Sequence, residues 1–273
     1  MALGGGAWRC GACHWAGHGI LQGVTTDREP ANTSTPSAGL VVALDGPGSS
    51  GKSTVGAEAA RRLGYRFCDT GLLYRAVTWL ALERGVAPTD VAGLVPLVAE
   101  VRLVADARGR LRHVHAGGRD VTVEVREAGV DRAVSDYARV PELRSALVTR
   151  QREIAARGGI IMAGRDIGTV ILPAAPVKIY LDASAEERAK RRAVQRKTTD
   201  TLEEDQILAD LRRRDDIDTT RETAPLRTAP DAVIVRTDGN SFEETVTAVV
   251  RTIRDAAGRR AAEAQAAGGC RGR

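Results

Sequence analysis

The chain has 273 residues and 43% hydrophobic residues, enough for a sizeable core in one or two domains of a soluble globular protein. No apolar run approaches the roughly 18 residues that cross a membrane, so we expect no membrane partner. The formal net charge of +5 fits nucleic acid or a small anionic substrate equally well.

The first 38 residues differ from the rest, because they are rich in Gly, Ala, Ser and Thr and show no periodicity. Cys10, Cys13 and His14 form a C-x-x-C-H pattern, which is typical of haem attachment and, with His18, could also bind zinc. No secretory hydrophobic segment accompanies the pattern, so we expect a disordered or mis-assigned extension over 1–38. The cysteines give no disulfide framework, which favours a cytoplasmic location.

The first folded segment predicts a phosphate site. An apolar strand over 40–44 leads into residues 46–53, which match G-x-x-x-x-G-K-[ST], and a helix follows to residue 63. Glycines let backbone N–H groups face phosphate oxygens, and the helix N-terminus adds positive potential. Lys52 would reach the β- and γ-phosphates, and the Ser53 hydroxyl would ligate Mg²⁺. The sequence therefore predicts a nucleoside triphosphate site.

The rest of the folded chain alternates strands and helices. Further strands are predicted over 65–69, 159–163, 177–181 and 231–235. Helices are predicted over 70–84, 90–100 with an interruption at Pro96, 141–157, 186–197, 202–214 and 242–257. Between them, three alternating stretches at 101–105, 111–115 and 120–124 predict an antiparallel meander, inserted as a small subdomain. Five buried strands alternating with helices predict a doubly wound parallel α/β fold. Residues 257–273 are expected to form a flexible tail.

Charged residues follow the predicted strands where ligands bind in such sheets. Asp45, Asp69, Arg165, Asp166 and Asp182 each stand at or just after a strand end. An acceptor with its own anionic group needs arginines, whose planar forks suit bidentate phosphate contacts. The candidates are Arg75, Arg144, Arg165, Arg214 and Arg221.

Several motifs together resemble the bacterial cytidylate kinases, P-loop nucleoside monophosphate kinases that phosphorylate CMP and dCMP. The resemblance covers about residues 40–255, and its motifs lie at 45–54, 69–75, 164–170, 178–188 and 214–221. It implies a kinase domain over 39–256, with a β-rich insert at about 86–130 in the acceptor-binding region and a helical lid at about 184–222. It also implies in-line transfer of the γ-phosphoryl group of ATP, with Mg²⁺, Lys52 and arginines neutralising charge.

The resemblance further implies a role for each matching residue. The nucleotide loop is Gly46, Pro47, Gly48, Ser49, Ser50, Gly51, Lys52, Ser53 and Thr54, with Arg188 and Arg192 closing over the triphosphate from the lid. The acceptor phosphate is held by Arg75, Arg165 and Arg221, near Thr70. Cytosine is read by Ser135, Arg144 and Asp166, and the ribose is contacted by Arg214 and Asp218. Lys52, Arg165 and Arg188 are implied to be catalytic.

Two other kinds of protein remain as alternatives. A kinase for AMP, UMP or shikimate would share Lys52 and Ser53 but not the whole acceptor set. A nucleotide-switch GTPase lacks support because the chain has no N-K-x-D guanine motif. The basic helix at 188–197 is the one feature that favours nucleic acid, and a lid that grips phosphate explains it equally well. We therefore expect nucleotide substrates, no nucleic-acid partner and a monomer.

Overall fold

The computed structural model describes residues 39–198 and 200–269. The expectations for residues 1–38, including Cys10, Cys13 and His14, lie outside these ranges. The strands are β1 Val41–Asp45, β2 Arg66–Asp69, β3 Val101–Ala105, β4 Arg110–Ala116, β5 Arg119–Asp120, β6 Ile160–Gly164, β7 Val177–Asp182 and β8 Val233–Arg236. The α-helices are α1 Lys52–Leu63, α2 Gly71–Glu83, α3 Val91–Leu94, α4 Ala128–Tyr137, α5 Pro141–Ala156, α6 Ala185–Arg196, α7 Thr201–Thr220 and α8 Phe242–Gly269. Short 3₁₀ turns span Val95–Glu100 and Glu124–Arg126, and a π-helical turn spans Ile167–Ile171.

The strands form one sheet in the order β3-β4-β2-β6-β1-β7-β8, with β5 beside β4. The pairs from β2 through β6, β1 and β7 to β8 are all parallel. Side chains alternate across the central strand: Val42 and Leu44 pack with α1 and α8, whereas Ala43 packs on the opposite face with residues of α5. Helices therefore cover both faces, which confirms the predicted doubly wound α/β class.

The meander is antiparallel as predicted, but it does not stand apart as an inserted subdomain. β4 pairs in parallel with β2, so the insert continues the main sheet. Its third strand is also shorter than the predicted 120–124, ending at Asp120. The Asp120 carboxylate accepts hydrogen bonds from the amide and hydroxyl of Thr122, and that hydroxyl accepts one from the Val114 amide. These side-chain bonds replace the strand ladder and turn the chain away.

Four further features differ from the sequence expectation. β8 is an edge strand, with Val233 47% and Ile234 55% exposed, because only β7 pairs with it; the prediction of a buried strand was wrong. α4 was not predicted. α7 continues six residues past the expected end at 214. α8 continues past 257 to Gly269, because the segment is rich in alanine, a strong helix former.

The parallel strands carry the candidate site residues to one edge of the sheet. β1, β2, β6 and β7 run in the same direction, so the residues at or just after their carboxyl ends lie on the same side. No helix in the described ranges is both long and apolar enough to span a membrane.

Candidate active site

The loop between β1 and α1 has the backbone of an anion site. Gly46 has φ +150°, and a Cβ there would lie 2.3 Å from the Leu181 carbonyl oxygen, so only glycine fits. Gly51 has φ +94° and precedes α1 without a side-chain cap. The first N–H groups of α1 therefore have no capping side chain and are open to an anion.

The first two residues of α1 carry the polar groups predicted for this loop. Lys52 Nζ donates to the Pro47 carbonyl at 2.5 Å and to Ser50 Oγ at 3.3 Å. Burial, and then the nearby Arg165 cation, holds the pKa of Lys52 well below its ordinary value. Ser53 Oγ donates to Asp69 Oδ2 at 2.5 Å, which sets a hydroxyl oxygen beside a carboxylate. The Thr54 side chain makes a local contact instead, because its Oγ1 donates to the Gly51 carbonyl at 3.0 Å.

Asp45 joins this loop to the segment after β6. Its two carboxylate oxygens accept hydrogen bonds from the Ile167 amide at 2.8 Å and the Gly168 amide at 2.7 Å. Burial raises the pKa of Asp45 to about 6, although these two amides act to lower it. Asp45 therefore fixes the backbone next to Arg165 and Asp166. The sequence identified it only as the end of a strand.

Two arginines predicted to be catalytic lie against carbonyl groups of the loop. Arg165 donates from Nη1 to the Gly46 carbonyl at 3.2 Å and from Nε to Asp218 Oδ2 at 2.8 Å. Arg188 is buried on α6, donating from Nη1 to the Gly48 carbonyl at 3.1 Å and from Nη2 to Asp215 Oδ2 at 2.5 Å. The cations of α6 and of the segment after β6 thus converge on the loop between β1 and α1.

A chain of buried ion pairs leads from Arg165 to Arg144. Asp218 bridges Arg165 to Arg221, whose Nη1 lies 3.5 Å from Asp218 Oδ1. Arg221 Nη2 lies 3.9 Å from Asp166 Oδ1, and Asp166 Oδ2 accepts a short hydrogen bond from Arg144. All of these side chains except that of Arg165 are less than one tenth exposed. Residues predicted to contact phosphate, ribose and base therefore form one connected network.

Several arginine cations are buried close together in and beside this network, and burying them costs free energy. Burial, followed by neighbouring cations, lowers the pKa of Arg214 to about 10 and also lowers that of Arg221. Burial acts to raise the pKa of Asp218, but Arg165, Arg214 and Arg221 together outweigh it and the net change is downward. Arg214 Nε and Arg221 Nη2 are buried without a hydrogen-bond partner. Such donors fit an anionic group entering the site.

A second group of predicted residues converges on Asp131, which sequence reasoning missed. Arg75 Nη2 lies 2.5 Å from Asp131 Oδ1, and Arg192 Nη2 lies 2.7 Å from Oδ2. Asp131 lies on α4, the helix that was not predicted. The apolar residues Val130, Val134 and Tyr137, four and then three positions apart, are the sequence signal that could have found it.

Two predicted residues do not join these ion pairs. Thr70 is buried at the end of β2 and donates from Oγ1 to the Ala163 carbonyl at 2.9 Å. Ser135 is half-buried on α4. The roles of both residues stay predictions.

Comparisons with known proteins agree on one family. The model of the family described as cytidylate kinase matches residues 42–255. The cytidylate kinase of Mycolicibacterium paratuberculosis is 47% identical over 203 residues, covering 74% of this chain and 89% of that protein. The cytidylate kinase of Pelotomaculum thermopropionicum is 45% identical over 222 residues, covering 80% and 97%. Among solved structures, a shikimate kinase from Bacteroides thetaiotaomicron aligns with 14% identity and a TM-score of 0.40, covering 79% of this chain and 98% of that one.

Proposed function

The chain belongs to the cytidylate kinase family, and we propose that it transfers the γ-phosphoryl group of ATP to CMP or dCMP, giving ADP and CDP or dCDP. The observation that supports this best is the buried chain of ion pairs from Arg144 to Arg165. It connects a carboxylate suited to a base with arginines suited to a phosphate, and it ends on the phosphate-binding loop.

On the donor side, ATP would lie with its phosphates over the loop of residues 46–53. The N–H groups at the start of α1 and the Lys52 ammonium would contact the phosphate oxygens. Mg²⁺ would be held by the Ser53 hydroxyl. The adjoining Asp69 carboxylate supports this, because Mg²⁺ prefers oxygen ligands and keeps phosphates and waters in its shell.

The transfer itself needs positioning and charge neutralisation. The attacking oxygen of the acceptor phosphate is already anionic, so no general base is required. Lys52, Arg165 and Arg188 would stabilise the charge that spreads over the transferred group. Arg188 and Arg165 already meet the loop at its Gly48 and Gly46 carbonyls, where they would flank that group.

On the acceptor side, Asp166 would select cytosine. Its Oδ2 is held by Arg144, whereas Oδ1 has only the longer ion pair with Arg221 at 3.9 Å and can accept a hydrogen bond from the exocyclic amine. Uracil has a carbonyl oxygen at that position, which a carboxylate repels. Arg75, Arg165 and Arg221 would hold the acceptor phosphate, near Thr70. Arg214 and Asp218 would contact the ribose, and Ser135 and Arg144 would read the cytosine together with Asp166.

The kinase domain would span residues 39–256, with the insert at about 86–130 and the lid at about 184–222. A lid over α6 and α7 is supported by their packing, because Ala189, Ala193, Ile207 and Leu211 form a small core between these two helices. Arg188 and Arg192 would then move with the lid, closing over the triphosphate and excluding water. We assign small nucleotides as partners, and we retain the expectations of a cytoplasmic monomer that does not bind nucleic acid.

The test is ADP release from ATP with CMP, dCMP, UMP, AMP and GMP supplied in turn. The proposal requires CMP and dCMP to be the best acceptors by a wide margin. A preference for UMP or AMP would instead assign the chain to a neighbouring kinase activity. ADP release that does not depend on any nucleoside monophosphate would contradict the acceptor assignment.

A further inference from the structure

The carboxylate of Asp131 lies among four arginines that come from three other helices. Arg75 lies on α2, Arg192 and Arg196 lie on α6, and Arg214 lies on α7. The distances to the nearest carboxylate oxygen are 2.5 Å, 2.7 Å, 3.9 Å and 3.5 Å in that order. The Asp131 side chain is 17% exposed, so water screens these contacts less than it would at the surface.

The two carboxylate oxygens divide their partners. Oδ1 accepts from Arg75, which is held on its other side by the Val125 carbonyl at 3.2 Å. Oδ2 accepts from Arg192 of the basic helix α6. One side chain thus joins an arginine assigned to the acceptor phosphate with an arginine assigned to the triphosphate.

Asp131 also connects helices α6 and α7 to the elements within residues 71–156. Over residues 39–198 and 200–269, each side-chain hydrogen bond or ion pair between α6 or α7 and residues 71–156 ends on Asp131. The basic charges of α6 would otherwise face Arg75 and Arg214 without an intervening anion. Charge-assisted hydrogen bonds of this kind are stronger than neutral ones. Removing the shared carboxylate therefore leaves the arginines around it without their anionic partner.

We propose that Asp131 is a positioning residue that couples closure of the α6–α7 lid to the alignment of Arg75, by holding Arg75 and Arg192 on one carboxylate. This inference rests on the proposed function for the roles of Arg75 and Arg192. Without Asp131, a smaller fraction of the protein has a closed lid, and the apparent affinity for a ligand of the closed form falls by that same fraction. ATP and CMP should therefore lose apparent affinity together, because one closed form binds both.

The direct test is Asp131→Asn, which keeps the shape and removes the charge. Asp136→Asn is the matched control, because Asp136 lies on the same helix and is exposed. Hydrogen–deuterium exchange without nucleotide should show the α6 amides exchanging roughly tenfold faster in Asp131→Asn and unchanged in Asp136→Asn. KM for ATP and for CMP should rise in parallel, by roughly fivefold to tenfold, with kcat within about twofold of the native value.

Unchanged α6 exchange would overturn the proposal, and so would a KM that falls or that changes for only one nucleotide. Arg196→Gln removes only the longest contact and should show the same changes at smaller size, which keeps the test decisive if Asp131→Asn folds poorly. The exchange measurement needs no substrate. It therefore reports on the coupling even if CMP proves not to be the acceptor, and the nucleotide panel reports on that separately.

Discussion

The two sides of the site are built in different ways. The proposed donor loop is contiguous, spans residues 46–53 and consists largely of backbone groups anchored on the central strand β1. The proposed acceptor and lid side is assembled from long side chains on α2, α4, α5, α6, α7 and the segment after β6, and buried ion pairs hold it together. The donor loop therefore depends on local backbone geometry, and the acceptor side on charge balance between distant elements.

The largest expected effect is on the donor side. Lys52→Ala removes the one cationic side chain within the loop, and it should lower kcat by at least about 10³-fold, the scale of charge-stabilising groups in phosphoryl transfer. Folding should survive, because the loop keeps its glycines and its place between β1 and α1, although it loses the Lys52 contacts with Pro47 and Ser50. Steady-state ADP release, together with a thermal melt, measures both.

Lys190→Ala is the matched control, since Lys190 is an exposed lysine on α6. It should leave kcat nearly native. If Lys52→Ala retained a tenth of native activity, the donor assignment of the loop would be wrong.

A substitution on the acceptor side should change the KM for CMP much more than the KM for ATP. Arg221→Ala removes a buried cation whose Nη2 has no hydrogen-bond partner. It should raise KM for CMP by roughly 10- to 100-fold, the worth of one or two charged hydrogen bonds, and change KM for ATP little. Arg227→Ala, at an exposed position nearby in sequence, is the control. Equal losses for ATP and CMP would mean that the two sides do not act as separate sites.

Asp45 lies where the two sides meet, and its contribution can be tested through the dependence of the free energy of unfolding on pH. Its pKa is raised from 3.8 to about 6 in the folded protein. The folded state therefore holds this proton more tightly than the unfolded state, and the stability this gives is lost as the pH rises from about 4 through 6. The loss is roughly 3 kcal/mol. Urea unfolding at pH 4 and pH 7 should show the native free energy of unfolding falling by that amount relative to Asp45→Asn.

Two features isolate this effect. The lowered pKa values of Asp131 and Asp218 place their contributions at lower pH, where stability falls as these carboxylates are protonated. Asp210→Asn, the same substitution at an exposed position, is the control. A difference between native protein and Asp45→Asn that is constant over this range would contradict the assignment.

The smallest expected effect is that of deleting residues 1–38. The family match begins at residue 42, and the backbone pairing with β6 begins at Gly39 and Leu40. The shortened protein should keep kcat within about twofold and nearly the same melting temperature, since it retains all these contacts. Stoichiometric zinc or haem in the full chain, with activity lost on its removal, would be the contrary result.

The sequence could predict the donor loop but not most of the contacts on the acceptor and lid side. The donor loop was predictable because its glycines, Lys52 and Ser53 are neighbours in sequence and each has a separate physical reason. Asp131 was not, because a carboxylate on an unmarked helix gains meaning only when folding brings four arginines to it. Asp45 was placed at a strand end, but its bonds to Ile167 and Gly168 depend on contacts across the sheet. The merging of the insert with β2 likewise depends on long-range pairing, which local alternation does not encode.

The central claim is that the buried acceptor network reads cytosine through Asp166, and one ratio tests it most directly. The measurement is kcat/KM for CMP divided by kcat/KM for UMP, in the native protein and in Asp166→Ala, with exposed Asp210→Ala as control. A site built around a polar contact can reject an analogue lacking it by about 10⁴-fold or more, so the native ratio should be large. In Asp166→Ala the ratio should fall sharply toward one, with most of the activity toward CMP lost. In the control the ratio should keep its native value. A mutant that kept the full ratio would show that Asp166 does not read the base, and the account of the acceptor site would fail.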